Sequence, residues 1–364
     1  MKKRNSLIAL ILVLTLVLVA CGGNNGKAPA NEGEEKTDAE TALKIGFVTD
    51  EGGINDQSFN QGVWEGIEKA EAELGIENKY MESTDANDYK PNFETLIDEG
   101  MEVIIGAGFK MGDTIVEEAK LNPELKFAIV DVDPTAGFDE EENPITVEAP
   151  ENLLGIMFKQ EEPSFLVGYI AALTTETNKV GFVGGQESGI ISGFEYGYKA
   201  GVDYGAKELG KEIEIMSQYV GNFSDVQKGK AITNQMYQQG ADIVFHAAGG
   251  AGDGVIEAAK EQDKWAIGVD KDQSEMAPDN VLTSAMKNAN VAIYDLIESL
   301  VNGEEFEGGT TIYLGLKDQG AVGIAPTSDT HVPQEILDKV KEIEEKIISG
   351  EIVVPANEED YNKN

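Results

Sequence analysis

The stretch Lys44–Gly66 reads "KIGFVTDEGGINDQSFNQGVWEG", and Lys179–Gly201 reads "KVGFVGGQESGIISGFEYGYKAG". In both, a lysine opens a short apolar run, a polar glycine-containing loop follows, and a phenylalanine starts the pattern F-x-x-G-x-x-x-G. Phe59, Gly62 and Gly66 are answered by Phe194, Gly197 and Gly201. Further on, "GMEVIIGAGFKMGDTIVEEAK" from Gly100 matches "GADIVFHAAGGAGDGVIEAAK" from Gly240. "FAIVDVD" (Phe127–Asp133) likewise matches "WAIGVDKD" (Trp265–Asp272). The three pairs lie about 135 to 140 residues apart in unchanged order, the signature of an internal duplication.

Each copy alternates short apolar runs with helical periodicity. Leu43–Val48, Val103–Ala107, Phe127–Val130, Lys179–Val183, Asp242–Ala247, Trp265–Val269 and Val281–Met286 read as strands. Asn60–Leu74, Thr114–Leu121, Phe194–Leu209 and Gly254–Gln262 read as helices. That alternation predicts parallel sheets with helices on both faces, here as two similar three-layer αβα lobes. Ligands of such sheets bind beyond the C-terminal strand ends, so two facing lobes would form one cleft. The expected boundaries are 43–150 with about 288–308 for the first lobe, and 151–287 with about 309–358 for the second.

Ahead of the lobes, Lys2, Lys3 and Arg4 precede the apolar run Leu7–Ala20, which has secretory-signal length. Residues 1–20 are therefore expected to be removed. The run ends "LVAC", resembling a bacterial lipobox, and Cys21 is the only cysteine of the chain. Cys21 is expected to carry an acyl anchor such as palmitate, placing the protein on the outer face of the cell membrane. Residues 21–42 hold little that is large and apolar and read as a flexible tether.

The chain has 67 acidic and 28 basic residues, a formal charge of −39. Nucleic acid is thereby a poor partner. Arg4 is the only arginine, so beyond the signal there is no guanidinium fork for phosphate or carboxylate. A neutral or cationic ligand fits this composition better than an anion.

Residues just after the strands are the candidate cleft lining. In the first lobe they are Asp50, Asn55, Asp56, Phe59 and Asn60, then Gly106–Phe109 and Asp131. The second lobe offers Gly184, Gly185, Phe194, Gly249–Gly252, Asp270 and Lys287. Phe59 and Phe194 occupy equivalent positions and could clamp a flat ring, although each also suits a core position at the start of its helix. Ionised aspartates accept hydrogen bonds and donate none, which suits ribose hydroxyls or a purine edge. Asp56 serves equally as a helix cap, and Asp113 and Asp253 read as caps. His246 and His331 have no metal-ligand spacing, and no nucleophile elbow, P-loop or dinucleotide fingerprint is present. Neither a metal nor a cofactor is expected, nor an enzyme activity.

With these residues in view, the chain resembles the basic membrane protein family of bacterial lipoproteins, which are substrate-binding components of ABC transporters. The resemblance rests on "NDQSFNQGVWEG" (Asn55–Gly66), "VGNFSDVQKGK" (Val220–Lys230), "AAGGAGDGVIEAAKE" (Ala247–Glu261), "GVDKDQS" (Gly268–Ser274) and "VLTSAMK" (Val281–Lys287). It implies a clamshell like that of type I periplasmic binding proteins, a membrane permease as partner, and a purine nucleoside such as guanosine, inosine or adenosine as ligand. It also implies Phe59 and Phe194 as stacking rings, with Phe223 of the "NFSD" motif as a rival for the second. Asp50 and Asp131 would lie near the base, and Gly250, Asp270 and Lys287 towards the ribose. Riboflavin or a sugar in the same fold is the alternative ligand, and a surface nucleoside hydrolase is the alternative activity.

Overall fold

The computed structural model describes residues 42–139 and 143–363. The signal segment, Cys21 and nearly all of the tether lie outside the described residues. In the first half come β1 (Lys44–Val48), α1 (Phe59–Leu74), β2 (Glu77–Met81), α2 (Tyr89–Asp98), β3 (Val103–Ala107), α3 (Gly112–Leu121) and β4 (Lys126–Val130). A surface hairpin of β5 (Ala136–Phe138) and β6 (Pro144–Thr146) leads to β7 (Leu153–Phe158) and α4 (Glu161–Thr174). The second half begins with β8 (Lys179–Gly184), α5 (Gly189–Leu209), β9 (Glu214–Tyr219), α6 (Val226–Gln238), β10 (Ile243–Ala247) and α7 (Asp253–Gln262). It continues with β11 (Trp265–Asp270), β12 (Val281–Lys287), α8 (Ala289–Val301), β13 (Thr310–Leu314), β14 (Val322–Ile324), α9 (Gln334–Ile348) and the single turn α10 (Glu358–Tyr361).

Two six-stranded sheets result, ordered β2-β1-β3-β4-β7-β13 and β9-β8-β10-β11-β12-β14. All pairs are parallel except β12 with β14, an antiparallel edge. The inner strands β3 and β10 are buried along their whole length, as strands covered on both faces must be. In both sheets the strand order reverses beside the first strand of the copy, which opens the crevice where such folds take ligands.

The lobe boundaries differ from the expected ones. β7 and β13 hydrogen-bond into the first sheet, so residues 153–158 and 310–314 belong to the first lobe. Helix α4, directly after β7, packs instead on α5, β12 and β14 of the second lobe; α8, directly after β12, packs back on α1. Among the described residues the chain therefore passes between the lobes three times, after Phe158, Lys287 and Leu314.

These exchanged helices explain the F-x-x-G-x-x-x-G pattern. A Cβ on Gly66 would come within 2.6 Å of the Asn290 carbonyl oxygen of α8. On Gly197 and Gly201 it would come within 2.3 and 2.0 Å of the Glu161 and Phe165 carbonyl oxygens of α4. Gly66, Gly197 and Gly201 let two backbones approach, whereas a Cβ on Gly62 would meet only the Ala289 side chain at 3.9 Å; the duplicated helix contact rests on the second glycine of each motif.

Candidate functional site

Between the lobes lies a cleft whose empty space, open solvent included, comes to about 540 Å³. The first lobe lines it with Asp50, Gly52, Asp56, Phe59, Asn60, Gly108, Phe109 and Asp131. Across from these stand Ile190, Ile191, Phe194, Phe223, Ala247, Gly249, Gly250, Val269, Asp270 and Lys287. Every candidate aspartate and phenylalanine of the cleft, with Asn60, Gly108, Gly249, Gly250 and Lys287, is brought together here; Asn55 is exposed and stands outside the lining, as do Gly106, Ala107, Ala251 and Gly252. Gly184 and Gly185 also stand outside it, but Gly185 has a supporting role described below.

The aspartates divide by what they already bind. Both oxygens of Asp56 are occupied: Oδ1 accepts from the Ser58 and Gln61 amides, and Oδ2 from the Asn60 amide and side chain. Asp56 thus caps α1. Asp113 and Asp253, read as caps, lie instead inside the first turns of α3 and α7 and make no capping bond. There a negative charge still favours the helix dipole.

Asp50 follows β1. Its Oδ1 accepts from the Gly52 amide at 3.0 Å and Asn60 Nδ2 at 2.7 Å, while its own amide donates to Asn60 Oδ1. A Cβ on Gly108 would reach within 2.9 Å of Asp50 Oδ2, and Gly108 has φ +111°; only glycine satisfies both demands. Burial pushes the Asp50 carboxyl up to about 6. The bonds from Gly52 and Asn60 oppose that rise, and the Asp56 and Glu51 charges add to it.

Asp131 and Asp270 are equivalent in the duplication, and both adopt left-handed backbone, with φ 67° and 64°. Such non-glycine residues persist where their surroundings hold them, and cluster at functional sites. Lys287 Nζ donates to Asp131 Oδ2 at 2.6 Å, while Asp131 Oδ1 is buried with no hydrogen-bond partner. Asp270 accepts from the Ser58 hydroxyl. Burial pushes Asp270 up to about 6; the Lys287 charge and Ser58 pull it back, and Asp56 and Asp131 add to the rise.

The three phenylalanines differ in setting. Phe59 lies under the Lys287 ammonium, 4.3 Å from ring centroid to Nζ. Phe194, only 2% exposed, packs edge-on against the core ring of Phe245. Phe223 is half-buried on the loop after β9 and meets Phe109 of the other lobe edge-on at 6.3 Å. Its ring rests on Gly185, where a Cβ would fall 2.3 Å away. Ile190 and Ile191 were not foreseen as lining. They sit in the first turn of α5, capped by Ser188, and apolar residues there carry no sequence signal separating cleft from core.

His246 is fully buried on β10, with Nε2 3.0 Å from Gln273 Oε1. Burial holds its imidazole down at about 4, the Gln273 bond opposing that fall. His331 contacts the Pro278 carbonyl. Among the described residues no group of His, Cys, Asp and Glu could hold a metal ion.

The cavity thus combines aromatic and aliphatic walls with an acceptor-rich rim and one buried ammonium. Such a lining offers a small ligand apolar contacts together with hydrogen-bond acceptors.

Comparison with known proteins agrees with this geometry. Residues 43–358 match the family described as ABC transporter substrate-binding protein PnrA-like. The chain is 38% identical to the CD4+ T-cell-stimulating antigen of Listeria innocua, over 98% of this chain and 99% of that protein. It is 37% identical to basic membrane protein A1 of Borrelia garinii, over 99% of this chain and 98% of that one. A solved ABC transporter solute-binding protein from Aeropyrum pernix K1 superposes with a TM-score of 0.77 at 26% identity, covering 88% of this chain and 96% of that one. A substrate-binding role in an ABC system implies a captured ligand and a permease to receive it. By its two exchanged lobes, its interlobe cavity and its full-length likeness to these relatives, the chain belongs to the PnrA-like family of ABC transporter substrate-binding proteins.

Proposed function

We propose that the protein captures a purine nucleoside in the interlobe cavity and delivers it to a membrane permease, tethered to the outer face of the membrane through an acyl group on Cys21. The single observation that carries this reading is the pairing of ring-bearing walls with acceptors: Phe59 and Phe223 line the same cavity as Asp50, Asp131 and Asp270. A purine presents two flat faces to the rings. Its N–H groups and ribose hydroxyls supply the donors that ionised aspartates require.

Within this reading Phe223, rather than Phe194, is the ring opposite Phe59. Phe194 is anchored in the core, whereas Phe223 sits on a loop over a glycine and is partly exposed. Asp50 faces the base, and Asp131, Asp270, Gly250 and Lys287 serve the base edge and ribose. Asn60 acts by orienting Asp50, and Asp56 by capping α1. No catalytic role is assigned to any of these residues.

Calorimetric titration with guanosine, inosine, adenosine and riboflavin tests the reading, using protein unfolded and refolded to strip bound ligand. Saturable heat with a nucleoside supports it. Heat with riboflavin alone, or with none of the four, removes it.

A further inference from the structure

Beside the cavity, the segment Gln57–Glu65 of the first lobe meets Asp270–Gln273 of the second at three points. Ser58 donates to Asp270, Lys271 Nζ donates to Glu65 Oε1 at 2.6 Å, and Gln273 Nε2 donates to the Gln57 carbonyl at 3.0 Å. The last differs from the others in how firmly it is aimed. Gln273 is 2% exposed, and its Oε1 accepts from the Val269 amide at 3.0 Å. That amide has only a donor to offer, so the orientation of the side chain is determined: oxygen towards Val269, nitrogen across the lobes. His246 Nε2 shares the same oxygen and must therefore carry its proton, leaving Nδ1 bare.

Room for this arrangement is cut by two glycines. A Cβ on Gly252 would fall 2.1 Å from the His246 ring, and one on Gly268 would fall 2.7 Å from Gln273 Oε1. The Gln273 backbone amide is held as well, donating to Ser284 Oγ at 3.2 Å. The receiving carbonyl belongs to Gln57, a non-glycine residue at φ 54°, directly before Ser58 and Phe59. Left-handed backbone of this kind needs outside contacts to hold it.

We infer that Gln273 is a positioning residue for ligand retention: aimed by His246 and Val269, it latches the Gln57 carbonyl and so holds the Ser58–Phe59 entry of α1 against the second lobe. The latch rests on the capture reading only for its effect on a ligand; its effect on the loop does not.

The test uses the full chain carrying Gln273→Met, of similar length but without the donor, and follows hydrogen exchange in the absence of ligand. Exchange in residues 55–62, across the cleft from the substitution, is expected to accelerate about tenfold while β1 and β3 are unchanged. Acceleration confined to β10 and β11, or spread over both sheets, would assign Gln273 a merely structural role and overturn the inference. Should Gln273→Met not fold, Gln273→Glu keeps an acceptor for Val269 and His246 but turns an oxygen instead of a donor towards the Gln57 carbonyl. It is then also expected to speed exchange in 55–62 about tenfold, and unchanged exchange overturns the latch. With guanosine as probe, dissociation from Gln273→Met should be about tenfold faster at similar association rate; an unchanged dissociation rate counts against the latch. If wild type binds no guanosine, the ligand reading fails and the exchange data alone decide the latch.

Discussion

Lys287 and Asp131 form a buried ion pair that joins the two lobes: the ammonium at the end of β12 donates at 2.6 Å to a carboxylate beyond β4. The two side chains are 2% and 6% exposed. Removing one partner strands the other charge in low dielectric. Lys287→Met is expected to lower stability by about 3–5 kcal/mol, and adding Asp131→Asn should recover much of that loss. Urea unfolding of the single and double variants measures both effects. A cost for the single variant below about 1 kcal/mol would mean that the pair behaves like a solvated one.

The ring assignment separates three variants. Phe59→Ala and Phe223→Ala should each weaken nucleoside binding by about 2 kcal/mol or more, as truncations of central anchors do, with modest changes in unfolding midpoint. Phe194→Ala should instead cost about 3–5 kcal/mol of stability, because its ring fills core beside Phe245. Calorimetry beside thermal unfolding reads out the pattern. If Phe194→Ala abolished binding in a protein of normal stability, Phe194 would be the second stacker.

Gly185 offers an indirect handle on the same ring. A methyl there meets the Phe223 ring at 2.3 Å, so Gly185→Ala must displace it. Affinity is expected to drop about tenfold although residue 185 does not line the cavity. An unchanged dissociation constant would show that Phe223 is free to move without consequence.

Acidification should act on ligand and fold in opposite senses. Asp50 and Asp270 are both raised from an ordinary 3.8 to about 6. Their ionised forms accept the ligand's donors, so affinity should fall as pH drops through about 6, with ligand binding releasing protons near that pH. For folding the sign reverses. A raised carboxyl contributes stability that is complete below about 3.8 and lost as pH rises through about 6. His246 works the other way: its contribution is complete above 6.5 and lost as pH falls through about 4. Calorimetry at pH 5 and 7 in buffers of different ionisation enthalpy checks the proton count. Flat affinity across this range would remove Asp50 and Asp270 from the ligand contacts.

Much of the framework was legible in the chain. The runs at Val103–Ala107 and Trp265–Val269 correspond to β3 and β11 within a residue, because a strand buried on both faces must be apolar throughout. The helix Phe194–Leu209 begins earlier, at Gly189; its first turn hid behind a polar loop whose Ser188 proved to be the cap. Edge strands β2 and β9 went unread, since their mixed exposure gives no continuous apolar run. Phe59 and Phe194 both reach the cleft. Of the glycines that make their motif conspicuous, Gly66, Gly197 and Gly201 serve helix packing, and the Phe194 ring also packs on the core ring of Phe245.

The sequence by itself determined the duplication, the α/β class and the edge of each sheet at which a ligand would sit. Apolar periodicity and repeated spacing are local properties that survive in one dimension. Only the tertiary structure decided that β7 and β13 join the first sheet, because strand partners are chosen across the fold. It also separated aspartates of identical appearance. Asp56 spends its oxygens on its own helix, Asp131 pairs with a lysine far along the chain, and Asp270 meets a serine of the other lobe. The capacity of a carboxylate to bind is set by the neighbours that reach it first, and for Asp131 and Asp270 those neighbours are distant in sequence.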